Sequence, residues 1–203
     1  GGTLDIAGQS GGRAVTVQAP TANARFFGQD ILWNAGTTSL QSTNNGIKAT
    51  NDLTLVSDNL SFSSSSDYIY AGHNGSVTVI NSLSNNAAIH AVGNLNLTAG
   101  SLTNTGTGGI SSNAVLTVAA SSGNLTNNGA LYGKTGLSAS ATATLTNGTT
   151  GTIDSNGGGT IVASTFINYN DINYAGNLII DATYFYNQVS SVPYINWSYA
   201  GTG

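Results

Sequence analysis

The acid–base and metal-binding chemistry open to this 203-residue sequence rests on ten side chains: eight Asp and two His, with no Glu and no Cys. Paired carboxylates are the tools of glycoside hydrolysis, and Asp154 and Asp171 are the one close carboxylate pair the spacing offers. The stretch Asp154-Ser155-Asn156-Gly157 opens like a calcium loop but lacks the later carboxylate. Without thiols there is no Cys-ligated metal site and no disulfide framework. Four Lys/Arg against eight Asp, a net charge of −4, cannot form the basic stripe that holds nucleic acid.

Two further sets of residues invite a functional reading. Asn85, Asn104, Asn127, Asn147, Asn168 and Asn187 follow Leu-x or Phe-x pairs at intervals of 19, 23, 20, 21 and 19. Side-chain amides at one recurring position can stack and pass hydrogen bonds along an axis. That is a structural ladder rather than a ligand strip, because Asn also suits the turns it borders. Of the 16 Phe, Tyr and Trp, nine lie between Phe166 and Tyr199. Alternation around Phe185 turns Tyr184 and Tyr186 outward, and around Ile69 it does the same for Tyr68 and Tyr70. Together with Tyr194, Trp197 and Tyr199, the C-terminal rings are candidates for sugar stacking or protein contact, or for an aromatic end-cap.

What positions these residues is a repeat. Half the chain is Gly, Thr, Asn and Ser, yet the aliphatics fall in short alternating runs such as Leu53-Thr54-Leu55, Leu95-Asn96-Leu97 and Leu116-Thr117-Val118. Such alternation marks strands with one buried face, so the chain folds despite its low complexity. Anchors at 6, 27, 47, 69, 89, 110, 131, 153, 172 and 195 are spaced by 21 residues on average. The copies beginning at Ile69 and Ile153 look two residues longer in the middle. A unit of this size cannot bury its own apolar face and must stack on its neighbours. The expectation is an all-β, right-handed parallel β-helix (β-solenoid) of about nine coils, each of ~21 residues. Residues 1–203 form one solenoid: irregular first coils over 1–45, regular repeats over 46–188, and an aromatic terminal coil or transition over 189–203.

Phase within the repeat tests whether catalytic groups converge. His90 and Asp154 share a phase but lie three coils apart, and His73 sits at another. Asp154 and Asp171 fall in neighbouring coils at phases plus one and minus one, with no Lys or Arg expected beside them. Two exposed turn aspartates account for the pair, so no catalytic residue, metal or cofactor is expected. Ice binding through Thr54, Thr78 and Thr117 is undercut by Asn96, Ser138 and Ile179, which interrupt that row.

Gly93-Asn94-Leu95-Asn96-Leu97-Thr98-Ala99-Gly100-Ser101-Leu102-Thr103-Asn104-Thr105-Gly106, continued by Leu116 to Ala120 and Asn124 to Gly129, resembles the filamentous haemagglutinin-type repeats of bacterial two-partner-secretion exoproteins. That group includes adhesins and the stalks of contact-dependent inhibition proteins. The resemblance runs from about 46 to 188. It implies a β-helical fibre, export across the outer membrane of a Gram-negative-type bacterium, and a secreted or cell-surface location. The family's Asn-Pro-Asn secretion motifs are absent. The expected function is a non-enzymatic shaft or adhesin segment. Its partners are neighbouring modules, or surface glycans and proteins, with no nucleic acid and no membrane insertion. The alternatives are an extracellular filament whose identical subunits stack end to end, and a β-helical polysaccharide-active enzyme using Asp154 and Asp171. Of the two explanations for the bare terminal coils, excision from a longer protein is preferred to filament stacking.

Overall fold

A computed structural model describes residues 4–7, 15–18, 25–41, 43–188 and 197–199, with side-chain surroundings for 25–40 and 43–188. The strands are β1 (Leu4–Ala7), β2 (Val15–Gln18), β3 (Arg25–Gly28), β4 (Ile31–Gln41), β5 (Gly46–Ala49), β6 (Leu53–Phe62), β7 (Tyr68–Ala71), β8 (Gly75–Asn85), β9 (Ala88–Ala91) and β10 (Leu95–Asn104). They continue as β11 (Gly109–Ser112), β12 (Val115–Ala120), β13 (Leu125–Asn127), β14 (Ala130–Gly133), β15 (Gly136–Asn147), β16 (Thr152–Ser155), β17 (Gly158–Asn168), β18 (Ile172–Tyr174), β19 (Leu178–Asn187) and β20 (Trp197–Tyr199). All strand pairings among the described residues are parallel, and each links strands one coil apart.

The result is an all-β solenoid of about eight turns with a repeat of about 21 residues. Short strands of three or four residues form one sheet, in the order β18-β16-β14-β11-β9-β7-β5-β3. Longer strands form the other, from β1 and β4 through β6, β8, β10, β12, β15, β17 and β19 to β20. The long strands bend midway. In one coil the bend breaks the strand into β12 and β13, both paired to β10 on one side and β15 on the other. Each coil therefore has three faces.

Ile47, Ile69, Ile89, Ile110, Leu131, Ile153 and Ile172 are in register and buried along the short-strand sheet. Leu60, Leu83, Leu102, Leu125, Leu145 and Phe166 do the same beyond the bend, where Phe185 stacks on Phe166 at 5.1 Å. Alanine recurs at the bend itself, as Ala99, Ala120, Ala141, Ala163 and Ala182, where the backbone turns inward and little space is left. The first coils fill that region with polar contacts instead. Ser57 donates to Gly36 O at 3.0 Å, and the buried Trp33 Nε1 donates to Thr38 Oγ1 at 2.9 Å.

Several expected details are corrected. Phe26, not Phe27, pairs with Ile47, and Phe27 is left 57% exposed; the two adjacent phenylalanines hide a one-residue ambiguity that flips the face. Ile6 pairs with Trp33 in the long-strand sheet, so it is no anchor of the short-strand column, which holds eight strands among the described residues rather than nine or ten. Ile195 lies outside the described residues. The copies at Ile69 and Ile153 are not longer in the middle: Gly75 and Gly159 take the positions of Leu95 and Leu137. At Gly159 the missing side chain is replaced by the Tyr174 ring, whose hydroxyl donates to Leu137 O at 3.1 Å. With the true register, Thr54 pairs with Ser76, and Thr78 lies beside Val56, so no threonine row exists there. The register also runs back through β3 and β4, within the stretch the sequence reads as irregular.

Candidate functional site

The six track asparagines form a continuous internal ladder. Register places them side by side across neighbouring coils. Each Nδ2 donates to the next Oδ1: Asn85 to Asn104 at 2.8 Å, Asn104 to Asn127 at 2.8 Å, and Asn127 to Asn147, Asn147 to Asn168 and Asn168 to Asn187 at 2.9 Å. The second N–H of Asn127 reaches Thr152 O at 3.0 Å, tying the ladder to the short-strand sheet. Asn85 through Asn168 are fully buried and offer no ligand surface, while Asn187 at the end of the ladder is exposed.

A second ladder, which sequence reading missed, runs up the opposite corner. Asp30 Oδ1 accepts from Asp52 N at 3.2 Å, Asp52 Oδ1 from Asn74 N at 2.9 Å, and Asn74 Oδ1 from Asn94 N at 3.0 Å. The signal was present as an Asx residue at 30, 52, 74 and 94. His73 joins it through Nδ1, 2.8 Å from Asp52 Oδ1, in an exposed pair. The Asn74 N–H, and after it His73, hold the Asp52 carboxyl below its ordinary range.

The proposed carboxylates do not face each other directly. Asn173, not Asp171, is the register partner of Asp154, and its Nδ2 donates to Asp154 Oδ1 at 2.8 Å. Asp171, two residues earlier on the same segment, is a diagonal neighbour. Asp154 lines a cleft of about 460 Å³ with Tyr132, Asn156, Asn173 and Tyr174, and Asp171 is not among its walls. Burial and the Asp154 charge raise the Tyr174 hydroxyl pKa above its ordinary value, so it stays protonated as a donor. Among the described residues, no group of three or more His, Cys, Asp or Glu could hold a metal ion.

Of the aromatic candidates, Tyr184 and Tyr186 stand on the outer face, 59% and 50% exposed, either side of Phe185. Trp197 and Tyr199 take the register positions of Leu178 and Ile180; Tyr194 lies outside the described residues. Tyr68 and Tyr70, expected to be exposed, are half-buried, Tyr68 by lying over Gly46 and Tyr70 by stacking on His90 under Lys48. The Tyr68 ring occupies the space above Gly46 that any side chain there would fill.

These two tyrosines wall a recess on the surface. The outward column Phe27, Lys48, Tyr70, His90, Ser111 passes over the short-strand sheet, beside the column Arg25, Gly46, Tyr68, Ala88. Between the columns lies a cleft of about 250 Å³ lined by Arg25, Phe27, Lys48, Tyr68, Tyr70 and His90. Lys48 Nζ sits 5.1 Å from the Tyr70 ring centre, within cation–π range. Tyr70 and His90 stack at 5.7 Å and 30°. His90 Nδ1 meets Ser111 Oγ at 2.8 Å, and burial lowers the imidazole pKa, favouring the neutral ring. The phase test that linked His90 to Asp154 would have found this column had it been applied to Lys48 and Tyr70.

Fold and surface together define a β-solenoid repeat protein that carries, among the described residues, a small aromatic and basic recess. No protein-family model, curated protein or solved structure matches the chain.

Proposed function

We propose that the chain is a non-enzymatic shaft segment of a secreted or cell-surface bacterial exoprotein, serving adhesion or the presentation of adhesive surface. The observation that carries this reading is the unbroken axial register. From Arg25 to Asn187, coil follows coil on parallel pairing, reinforced inside by the asparagine ladder and outside by the Asx ladder. Such a body transmits position along an axis and leaves its faces free to carry recognition groups. The outward faces are largely Thr, Ser and Asn, and Asp154, one of the two proposed carboxylates, accepts a hydrogen bond from Asn173.

The resemblance to filamentous haemagglutinin-type repeats supports the location. The test is antibody labelling of intact cells of the source organism together with the length of the parent reading frame. Surface labelling on a frame of many hundred codons is the expected result. A frame of about 200 codons whose product stays in the cytoplasm would overturn the proposal.

A further inference from the structure

We propose that the cleft over the ends of β14, β16 and β18 binds a neutral hexopyranose, with two sugar hydroxyls on the Asp154 carboxylate and the sugar's apolar face against Tyr132. The chemistry of the walls narrows the ligand class first. They hold one carboxylate, two side-chain amides and two phenols, with no Lys, Arg or second carboxylate among them. A lone carboxylate repels an anion, and it is too sparse a set for a hard divalent cation, which collects several oxygen ligands. Amides and phenols that both donate and accept suit a polyol. Size agrees: about 460 Å³ lies within the ~300–1,000 Å³ of small-ligand sites, room for a hexose.

Unspent hydrogen-bonding capacity is the second observation. Asp154 accepts one bond, from Asn173 Nδ2 to Oδ1 at 2.8 Å, and its Oδ2 has no partner among the described residues. An ionised carboxylate has about four acceptor sites, so two sugar hydroxyls fit on it without displacing Asn173. Tyr132 Oη accepts from Asn156 Nδ2 at 3.2 Å and keeps its own proton to donate. These two bonds fix the side chains the sugar meets rather than fill the site. The third observation is the ring. Tyr70 is covered by Lys48 and by the stacked His90. Tyr132, three coils along the same column, lies between Ser111 and Asp154, and among the described residues no ring or cation stacks on it. A Cβ at Gly109, diagonal to Tyr132, would meet nothing within 4 Å, so the sheet beside the ring is open. The outward face of Tyr132 is left for the C–H side of a pyranose. Tyr174 closes the floor, its hydroxyl spent on Leu137 O at 3.1 Å. Tyr132, Asp154 and Asn173 share one register position on adjacent strands ~4.8 Å apart, so backbone pairing holds the constellation.

This inference is independent of the shaft reading, which stands or falls on labelling and reading-frame length. Its test is ligand-observed NMR on the whole 203-residue chain. The probes are the methyl glycosides of D-galactose, D-glucose and D-mannose, with D-galacturonic acid and methylammonium for comparison. At least one neutral glycoside is expected to bind in the millimolar range. Galacturonic acid, repelled by Asp154, and methylammonium, which lacks the ring contact, should bind about tenfold more weakly. Asp154→Asn keeps an acceptor for Asn173 but removes the charge. It should weaken the bound glycoside about tenfold and abolish the discrimination against galacturonic acid. Tyr132→Ala should weaken the same glycoside about tenfold, while Tyr70→Ala leaves it unchanged. All three substitutions lie on the outer face, and the probe comparison on the unaltered chain does not depend on them. No binding of any of the three glycosides overturns the proposal. Methylammonium binding as tightly as the best glycoside makes the cleft a cation site, and galacturonic acid binding as tightly removes the role of the Asp154 charge. Glycoside binding that survives both Asp154→Asn and Tyr132→Ala lies elsewhere on the chain. Each of these results overturns it as well.

Discussion

The coils around Asn45 and Asp67 and the coils from Asn85 to Asn187 close the same corner in opposite ways. In the later coils the long strand ends in Asn, buried from Asn85 to Asn168, and the residue before the short strand is Ala87, Gly108, Gly129 or Gly151 until the Asn168 coil, where the half-buried Asn170 takes that register position. In the earlier coils the position of that Asn is held by Leu40 or Phe62, and the residue before the short strand is the buried Asn45 or Asp67. Up to the Asn147 coil the corner holds one polar side chain per coil, and it comes from either side. The glycines show why both cannot. A Cβ on Gly108 would run into Asn104 Oδ1, and one on Gly151 would run into Asn127 O and Asn147 Oδ1. The loops differ accordingly: Phe62 to Asp67 spans five residue steps, Asn104 to Gly108 four and Asn127 to Gly129 two. Only the later arrangement propagates, because an amide both donates and accepts while a carboxylate only accepts.

Cutting the ladder at its middle should have the largest effect. Asn127→Ala removes the bonds to Asn104, Asn147 and Thr152 in a corner closed to water. Leaving those partners unsatisfied should cost about 2–4 kcal/mol, read as a shift of the urea midpoint. A loss under about 1 kcal/mol would mean that water enters the corner and the ladder is not structural.

Filling the other side of the same corner comes next. At Gly129 an added Cβ meets backbone, the carbonyls of Gly108 and Thr105, so the obstruction is not a flexible side chain that can move aside. Gly129→Ala should cost about 1–3 kcal/mol. Ala87 already carries a Cβ at the first rung, so Ala87→Gly should cost less than Gly129→Ala. Equal losses would erase the distinction between rungs.

These features were unequally legible in the sequence. The ladder asparagines could be found because one residue type recurs at one period, and a parallel solenoid turns equal phase into contact. The short-strand anchors were legible for the same reason from Ile47 to Ile172. Legibility failed where neighbours share chemistry: Phe26 and Phe27 are equally apolar, and only pairing to Ile47 decides which is inside. It failed again where a small residue stands for a large one. Gly75 and Gly159 in leucine positions made two coils look longer, because the compensating Tyr174 comes from the next coil. The basic and aromatic recess was missed because its members differ in type: a phase search for like residues does not join Lys48, Tyr70 and His90.

Exchanging the two corner solutions tests whether they are true alternatives. Phe62→Asn with Asp67→Gly rebuilds the later arrangement one coil earlier, placing an amide beside Asn85. Phe62→Asn alone should be severe, since it loses a buried ring and sets an amide against the Asp67 carboxylate. The double variant should be more stable than the sum of the single changes by about 1 kcal/mol. The extra loop residue keeps the rescue partial. A coupling of zero would show that the two corners are unrelated.

The smallest expected effect is the one most specific to the earlier corner. Asp67 is 1% exposed and accepts from Asn45 N at 2.9 Å and Ser64 N at 3.3 Å. Burial outweighs these bonds and raises its pKa above the ordinary 3.8. Between 3.8 and the raised value the folded chain binds a proton that the unfolded chain has released, so stability falls as pH rises through that window. Asp52 acts with the opposite sign: its carboxyl is held below 3.8, and its contribution is lost only as pH falls below 3.8. The two windows do not overlap. Acidification from neutral pH toward 4 should therefore stabilise the chain through Asp67. Asp67→Asn should remove that gain, while at pH 7 it stays within about 1 kcal/mol of the parent, since the amide relieves the buried charge but loses the Ser64 bond. The Asn85–Asn187 ladder has no such titration, so Asn127→Ala should lower the whole pH profile without changing its slope. A slope that survives Asp67→Asn would assign the pH dependence to another carboxylate and leave the earlier corner electrostatically indistinguishable from the later one.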